Sequence, residues 1–223
     1  MGNLKHKGNI EVTDGNITID GQPIGGGGGL FIEGSGINST LRDGAGTADG
    51  NYSTVGGGLG NSASDSYSTV GGGFCNAASG YYSTIGGGCS NTASCGYSTV
   101  GGGLFNTASG CCSTVGGGFC NTASGFGNST VGGGRGNTAS GAGSTVGGGQ
   151  NNTASGCYTG ILGGRDNDTN NLNCATIIGS CITAIHTCTA HVNCLAIMNI
   201  PTDPTGLCAG MVWNDGGTLK IVT

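Results

Sequence analysis

The chain has 223 residues, of which 53 are glycine and 8% are charged, and its formal net charge is −5. That length suits one or two domains, and the absence of a basic stripe to neutralise phosphates argues against a nucleic-acid binder. The glycines cluster as GGG without collagen's third-residue period and abundant proline. β-Branched residues also recur on a schedule that a disordered linker does not need.

The opening stretch, MGNLKHKGNIEVTDG, lacks the apolar segment of a secretory signal, and His6 stands where an N-myristoylation signal carries Ser or Thr. No run reaches the roughly 18 apolar residues of a spanning helix. The expectation is folding in a cytoplasm, with no insertion into a membrane. Within residues 1–24, Ile10/Val12 and Ile17/Ile19 alternate around Asp14-Gly15, which predicts a β-hairpin. A hairpin this small needs something to dock on. Gly25 to Gly29 then open a flexible joint over residues 25–38.

A repeat fills residues 39–197. The apolar residue after Ser-Thr returns at Val55, Val70, Ile85, Val100, Val115, Val131, Val146 and Ile161, fifteen residues apart except for one step of sixteen, where Asn128 reads as the insertion. Asn61, Asn76, Asn91, Asn106, Asn121, Asn137, Asn152 and Asn167 keep step, as does an alanine column from Ala63 to Ala154. Asn38 to Gly46, with Leu41 in the valine position, is a degenerate first copy. A fixed short period marks a stacked architecture. Each copy reads as two short extended pieces, such as YSTVG and NTASG, joined by glycine corners. Stacking the copies about 4.8 Å apart gives an all-β parallel solenoid of fifteen-residue coils.

Such a coil encloses little volume. Burying one Val yields about 1.5–3 kcal/mol, while ordering each Gly costs about 0.5–1 kcal/mol more than ordering Ala. With one Val and several Gly per coil, these terms nearly cancel. The valine column is therefore expected to pack against other copies of the chain, most simply three around an axis.

The motif STVGGG..NTASG resembles the head repeats of trimeric autotransporter adhesins, the YadA-like family, and similar repeats occur in bacteriophage tail fibres. The resemblance implies a left-handed parallel β-roll, a homotrimer, and a trimer core formed by the column from Val55 to Ile161. The family's signal peptide and C-terminal membrane-anchoring barrel have no counterpart here. That contrast shifts the expectation from a secreted bacterial adhesin toward a virion fibre assembled in a host cytoplasm.

Twelve cysteines invite a disulfide framework. Cys75 and Cys120 share a column but lie three coils apart, too far to bridge. Cys174, Cys181, Cys188 and Cys194 follow at steps of 7, 7 and 6, which stacks Cys174 on Cys188 and Cys181 on Cys194. Buried free thiols are the expectation in a reducing cytoplasm, with those two stacked disulfides as the alternative. No CxxC pair signals zinc, and His186 and His191, five residues apart, are expected on opposite faces of a strand. No nucleophile–base set is legible, so neither enzyme activity, nor a metal, nor a cofactor is expected. The Asn-x-Ser/Thr sequons read as by-products of the repeat.

Residues 198–223 end the chain with a connector carrying two prolines and a hairpin around Asn214 to Gly217, read as a cap. The functional expectation is a structural and adhesive fibre or spike of a phage or similar virus. Its N-terminal segment would join a baseplate, tail or capsid protein, or else cap the rod. Tyr52, Tyr67, Tyr82 and Tyr97 are the candidates for contact with a host receptor, unless they serve as an aromatic ladder. A bacterial surface adhesin head is the alternative. An ice-binding solenoid, suggested by the recurring TAS, is a third reading.

Overall fold

A computed structural model describes residues 10–13, 16–19, 22–23, 31–36, 39–42, 46–194, 200–209 and 211–222. They contain strands and turns only. The chain divides into two units, residues 1–191 and 192–223.

In the first unit, each repeat supplies two very short strands. Thr-Val pairs such as Thr54–Val55 join one long sheet, and Thr-Ala pairs such as Thr92–Ala93 join a second. Every strand pairs in parallel with its counterpart one repeat away, Thr84 with Thr99 and Ile85 with Val100, Thr92 with Thr107 and Ala93 with Ala108. About ten turns of parallel solenoid result, rising about 4.8 Å each. The degenerate first copy is part of the stack, since Leu41 lies opposite Val55. The column also extends past Ile161 to Ile177.

Strand alternation sends Val and Ala inward and Thr outward. Every residue from Val55 to Ile161 in the valine column is at most 1% exposed, as are Ala63 to Ala154 opposite. This corrects the expected trimer core. The valines line the coil's own interior and have no area left to offer a second chain. Hydrogen bonds supply the stabilisation that one Val per coil does not.

Those bonds centre on the asparagine column. Asn106 shows the pattern: its Nδ2 donates to the Gly102 carbonyl at 2.9 Å and to the Gly118 carbonyl, one coil on, at 2.8 Å. Its Oδ1 accepts the Asn121 backbone N–H at 3.0 Å, and its own N–H donates to Asn91 Oδ1 at 2.9 Å. The motif runs from Asn61 to Asn167, and every member is buried. At the opposite corner Ser68 Oγ donates to the Asp65 carbonyl and Ser98 Oγ to that of Cys95, while the Ser53, Ser113 and Ser144 hydroxyls are buried without a partner. Asn106→Ala would leave the buried Asn121 N–H unpaired, and each such orphan costs about 1–3 kcal/mol. Together with the void left behind, the expected loss is about 3 kcal/mol, measurable as a fall in the denaturation midpoint.

Two positions of the GGG triplet require glycine and the middle one does not. At the first position, a Cβ on Gly101 would meet the Gly116 carbonyl of the next coil at 2.3 Å. At the third, Gly103 has φ +95°, and a Cβ would meet the Gly118 carbonyl at 2.2 Å and Asn106 Nδ2 at 2.7 Å. The middle position is open, with nothing nearer to a Cβ on Gly87 than the Gly72 carbonyl at 3.8 Å. Gly103→Ala is therefore expected to cost about 3 kcal/mol or more through strain and overpacking. Gly87→Ala should change stability by less than about 1 kcal/mol. Equal thermal midpoints for the two variants would contradict this division.

The sixteen-residue copy keeps register, Val115 opposite Val131. The extra residue is Phe126 and not Asn128. Asn128 occupies the ordinary left-handed corner position (φ 54°) and bonds back to the Cys111 carbonyl, while Phe126 is looped out and 85% exposed. A corner can absorb an extra residue because it carries no inward side chain.

At the N-terminal end, Ile10–Thr13 and Asn16–Ile19 form the expected hairpin, with Ile10 opposite Ile19. The sequence reading missed its third strand, Gln22–Pro23. The glycines 25–29 lie outside the described residues. Phe31–Glu33, within the expected joint, instead pairs antiparallel with Thr40–Arg42. That strand covers the first coil's edge, which would otherwise present unpaired backbone groups.

In the second unit, Val212–Asp215 pairs antiparallel with Thr218–Ile221 around Gly216-Gly217, whose φ values of +58° and +98° suit a two-residue hairpin turn. Lys220 forms an ion pair with Asp215 and lies 5.7 Å over the Trp213 ring.

Candidate functional site

With the interior closed by small side chains, whatever this protein presents to other molecules lies on its two corners and two flat faces. The corner residue before each Ser-Thr is left-handed, φ 56–60° at Tyr52, Tyr67, Tyr82 and Tyr97. Its N–H bonds to the preceding coil, as from Tyr97 to the Tyr81 carbonyl at 2.8 Å. A non-glycine residue in that region costs about 1–2 kcal/mol. The tyrosines offset the cost by stacking. Tyr52–Tyr67, Tyr67–Tyr82 and Tyr82–Tyr97 have ring centroids 5.0, 4.5 and 5.4 Å apart with planes within 9° of parallel. Tyr81, which the sequence reading did not single out, sets its ring edge-on against Tyr67, Tyr82 and Tyr97. Aromatic pairs of this kind contribute about 0.5–1.5 kcal/mol each.

This geometry decides what the ladder can bind. The inner rings cover one another's faces, so a sugar or an aromatic group cannot stack on them. Ring edges and phenol hydroxyls remain available, and the five tyrosines are 39–58% exposed. The Tyr81 phenol is pushed above its ordinary value, first by its hydrogen bond with Tyr82, then by burial and the neighbouring phenols. In an alkaline absorbance titration, one phenol should therefore lag the others, and Tyr82→Phe should bring it back. A single uniform transition in the unmodified chain would contradict the pairing.

The opposite corner is also largely apolar in these coils and the one that follows, with Leu59, Phe74, Phe105 and Phe119 exposed. Arg135 sits over the Phe119 ring at 5.5 Å. In later coils that corner turns polar, where Arg165 pairs with Asp166 at 3.2 Å and Asn151 Nδ2 donates to Asp166 Oδ1. The flat faces carry threonine files. Thr54, Thr69, Thr84, Thr99, Thr114, Thr130 and Thr145 line one sheet, and Thr92, Thr107, Thr122, Thr138 and Thr153 line the other.

The cysteines are placed otherwise than expected. The free ones are exposed or half-buried, not buried as small core residues. Cys95 and Cys111, on successive coils, form a disulfide with Cα atoms 4.9 Å apart. Sequence spacing hid this pair because the two residues occupy adjacent corner columns, not the same one. Their separation of 16 therefore exceeds the repeat by one residue. Cys75 and Cys120 do share a column, with Ser90 and Phe105 between them. His186 lies in a turn and only His191 is in a strand, Ala190–Val192, so the two do not flank one strand. His191 Nε2 lies 3.1 Å from the His186 carbonyl. Among the described residues, no three His, Cys, Asp or Glu side chains converge. One sequon asparagine, Asn167, is a buried ladder member and inaccessible to modification.

No protein-family model matches this chain, and no curated protein matches it significantly.

Proposed function

We propose that this chain is a structural and adhesive fibre or spike protein of a phage or similar virus. In this reading its coils are left-handed β-roll repeats akin to the heads of trimeric autotransporter adhesins. The observation that supports it most is the stack itself: about ten almost uncharged coils in unbroken parallel register, with interiors filled by Val, Ala, Ser and Asn. Such a unit gives reach and stiffness and offers its corners to other molecules many times over, so weak contacts add by multivalency. No catalytic role is part of the reading.

Assembly from several copies, three by the resemblance, now rests on other surfaces than the valines. Both corners of the early coils expose aromatic side chains, and Met211, Val212, Leu219 and Ile221 of the terminal hairpin are exposed in the single chain. A hairpin of this size is not stable by itself, so a trimeric cap is a natural role for it. The Cys95–Cys111 bridge suits a particle that meets an oxidising exterior. Attachment to a baseplate, tail or capsid protein falls to the N-terminal hairpin.

Mass measurement of the purified chain should give three copies, and antibody labelling should place it on virus particles. A stable monomer would remove the trimer, and labelling of a bacterial surface would favour the adhesin reading. Changing Tyr52, Tyr67 and Tyr97 together to Phe preserves the stack but removes hydroxyls. If the ladder contacts a receptor, host-cell binding should drop about tenfold, since one lost hydrogen bond is worth about 0.5–1.5 kcal/mol. Unchanged binding would make the ladder purely structural.

The threonine files favour a second reading. Rows of hydroxyl and methyl groups at a rigid repeat of about 4.8 Å are suited to ordering water on a flat face, as an ice-binding solenoid requires. Thermal hysteresis by the purified chain would support it, and its absence would remove it.

A further inference from the structure

The stack's main fastening stops before its last coil. Asn167 is the final amide of the ladder, and its Oδ1 accepts the backbone N–H of Ile182 at 3.0 Å. Ile182 has no amide to pass the pattern on. The corner serine is replaced by Ala175 in one coil, and in the next Thr189 supplies the hydroxyl, its Oγ1 donating to the His186 carbonyl at 2.9 Å. Beyond this point Ile177 and Ala184 are the last buried apolar residues of the described stack. The final coil thus lies beyond the end of the asparagine ladder.

Two thiols stand at this place. Cys174 and Cys188 occupy the corner column that carries the tyrosine ladder higher in the stack. Both are left-handed, φ 56° and 53°, and both bond back to the preceding coil, Cys174 N–H to the Cys157 carbonyl at 2.9 Å and Cys188 N–H to that of Asn173 at 3.0 Å. Equivalent positions on successive coils are about 4.8 Å apart, within the usual Cα range of a disulfide, about 4.4–6.8 Å. Both residues are exposed. The Cys174 thiol is pushed above its ordinary value, first by hydrogen bonding with the neighbouring Cys188 thiol and by its charge, then by burial and by Cys157. The Cys95–Cys111 bridge joins successive coils at this same corner, there between adjacent columns.

We propose that Cys174 and Cys188 form a second coil-to-coil disulfide, which locks the last coil where the asparagine ladder has ended. The oxidant is a small-molecule disulfide such as oxidised glutathione. One cysteine thiolate attacks it, releasing one glutathione thiolate and leaving a mixed disulfide. The second cysteine thiolate then attacks the protein sulfur of that mixed disulfide and releases a second glutathione. Two protein thiols are thereby oxidised, one glutathione disulfide is reduced, and the two protons pass to the two glutathiones. The closed loop contains both Ile177 and Ala184, so opening the final coil would no longer separate it from the stack.

The test uses the full chain. It is treated with oxidised glutathione at mildly alkaline pH, its free thiols are blocked with iodoacetamide, and after reduction the released thiols are tagged with N-ethylmaleimide. Mass spectrometry should find the second tag on Cys174 and Cys188, and the first on Cys181 and Cys194. Cys174→Ser should return Cys188 to the first group. Backbone hydrogen exchange at Thr176 and Ile177 should slow by about tenfold or more on oxidation, because the cross-link limits opening of that coil. Three results would overturn the proposal: both thiols remaining free under these conditions, Cys174 pairing with Cys157 instead, or chains cross-linking to one another through Cys188. Closure without slower exchange would overturn the locking role.

Discussion

The stack depends on one buried amide per coil. From Asn61 to Asn152, each asparagine side chain binds a glycine carbonyl in its own coil, a second in the next, and the backbone N–H of the asparagine that follows. Three hydrogen bonds are thus concentrated at a point that water does not reach, where leaving any of the groups unpaired would be costly. The amide needs a backbone that approaches closely and turns sharply beside it. That need accounts for the first and third glycines of the triplet, one lying against the next coil's carbonyl and the other against both that carbonyl and the amide.

Once polar groups hold the coils together, the interior can be thin. Val on one sheet meets Ala on the other, and the space between holds nothing larger than Ile. The unit therefore does not need the large apolar core of a globular domain, and it tolerates an interior in which buried Asn and Ser are as regular as buried Val. The few charges the coils carry, such as Arg135, Arg165 and Asp166, stand at the corners. What changes from coil to coil is the corners, the one part free of interior constraint. There the chain places tyrosines, phenylalanines, cysteines or an extra Phe126 without disturbing register.

The corners also show how a local cost is met by longitudinal order. A tyrosine in the left-handed region is unfavourable taken singly, and in the first coils the rings stacked above and below it offset that cost. The same column goes from tyrosine to Cys112, Asn128 and Gly143, returns to Tyr158, and ends in Cys174 and Cys188. Each of these residues answers the same backbone requirement with different chemistry. The surface of this protein is therefore a one-dimensional series, in which meaning comes from which residues are consecutive along the column.

Period, parallel stacking, inward alanine and the two terminal hairpins were legible in the sequence, because a repeat of fifteen residues with invariant Asn, Gly and Val admits few architectures. Which residues lie outside was partly legible too, since Thr alternates with Val and Ala. The sequence could not tell whether the valines face their own coil or a neighbouring chain, because Val is equally at home in both. Only the tertiary structure decided that, by bringing the Thr-Val and Thr-Ala sheets face to face. It also decided that Cys95 meets Cys111 and that Phe126 is the looped-out residue. Those facts depend on how a corner advances by one column between coils, and that geometry arises only when successive turns are laid on one another.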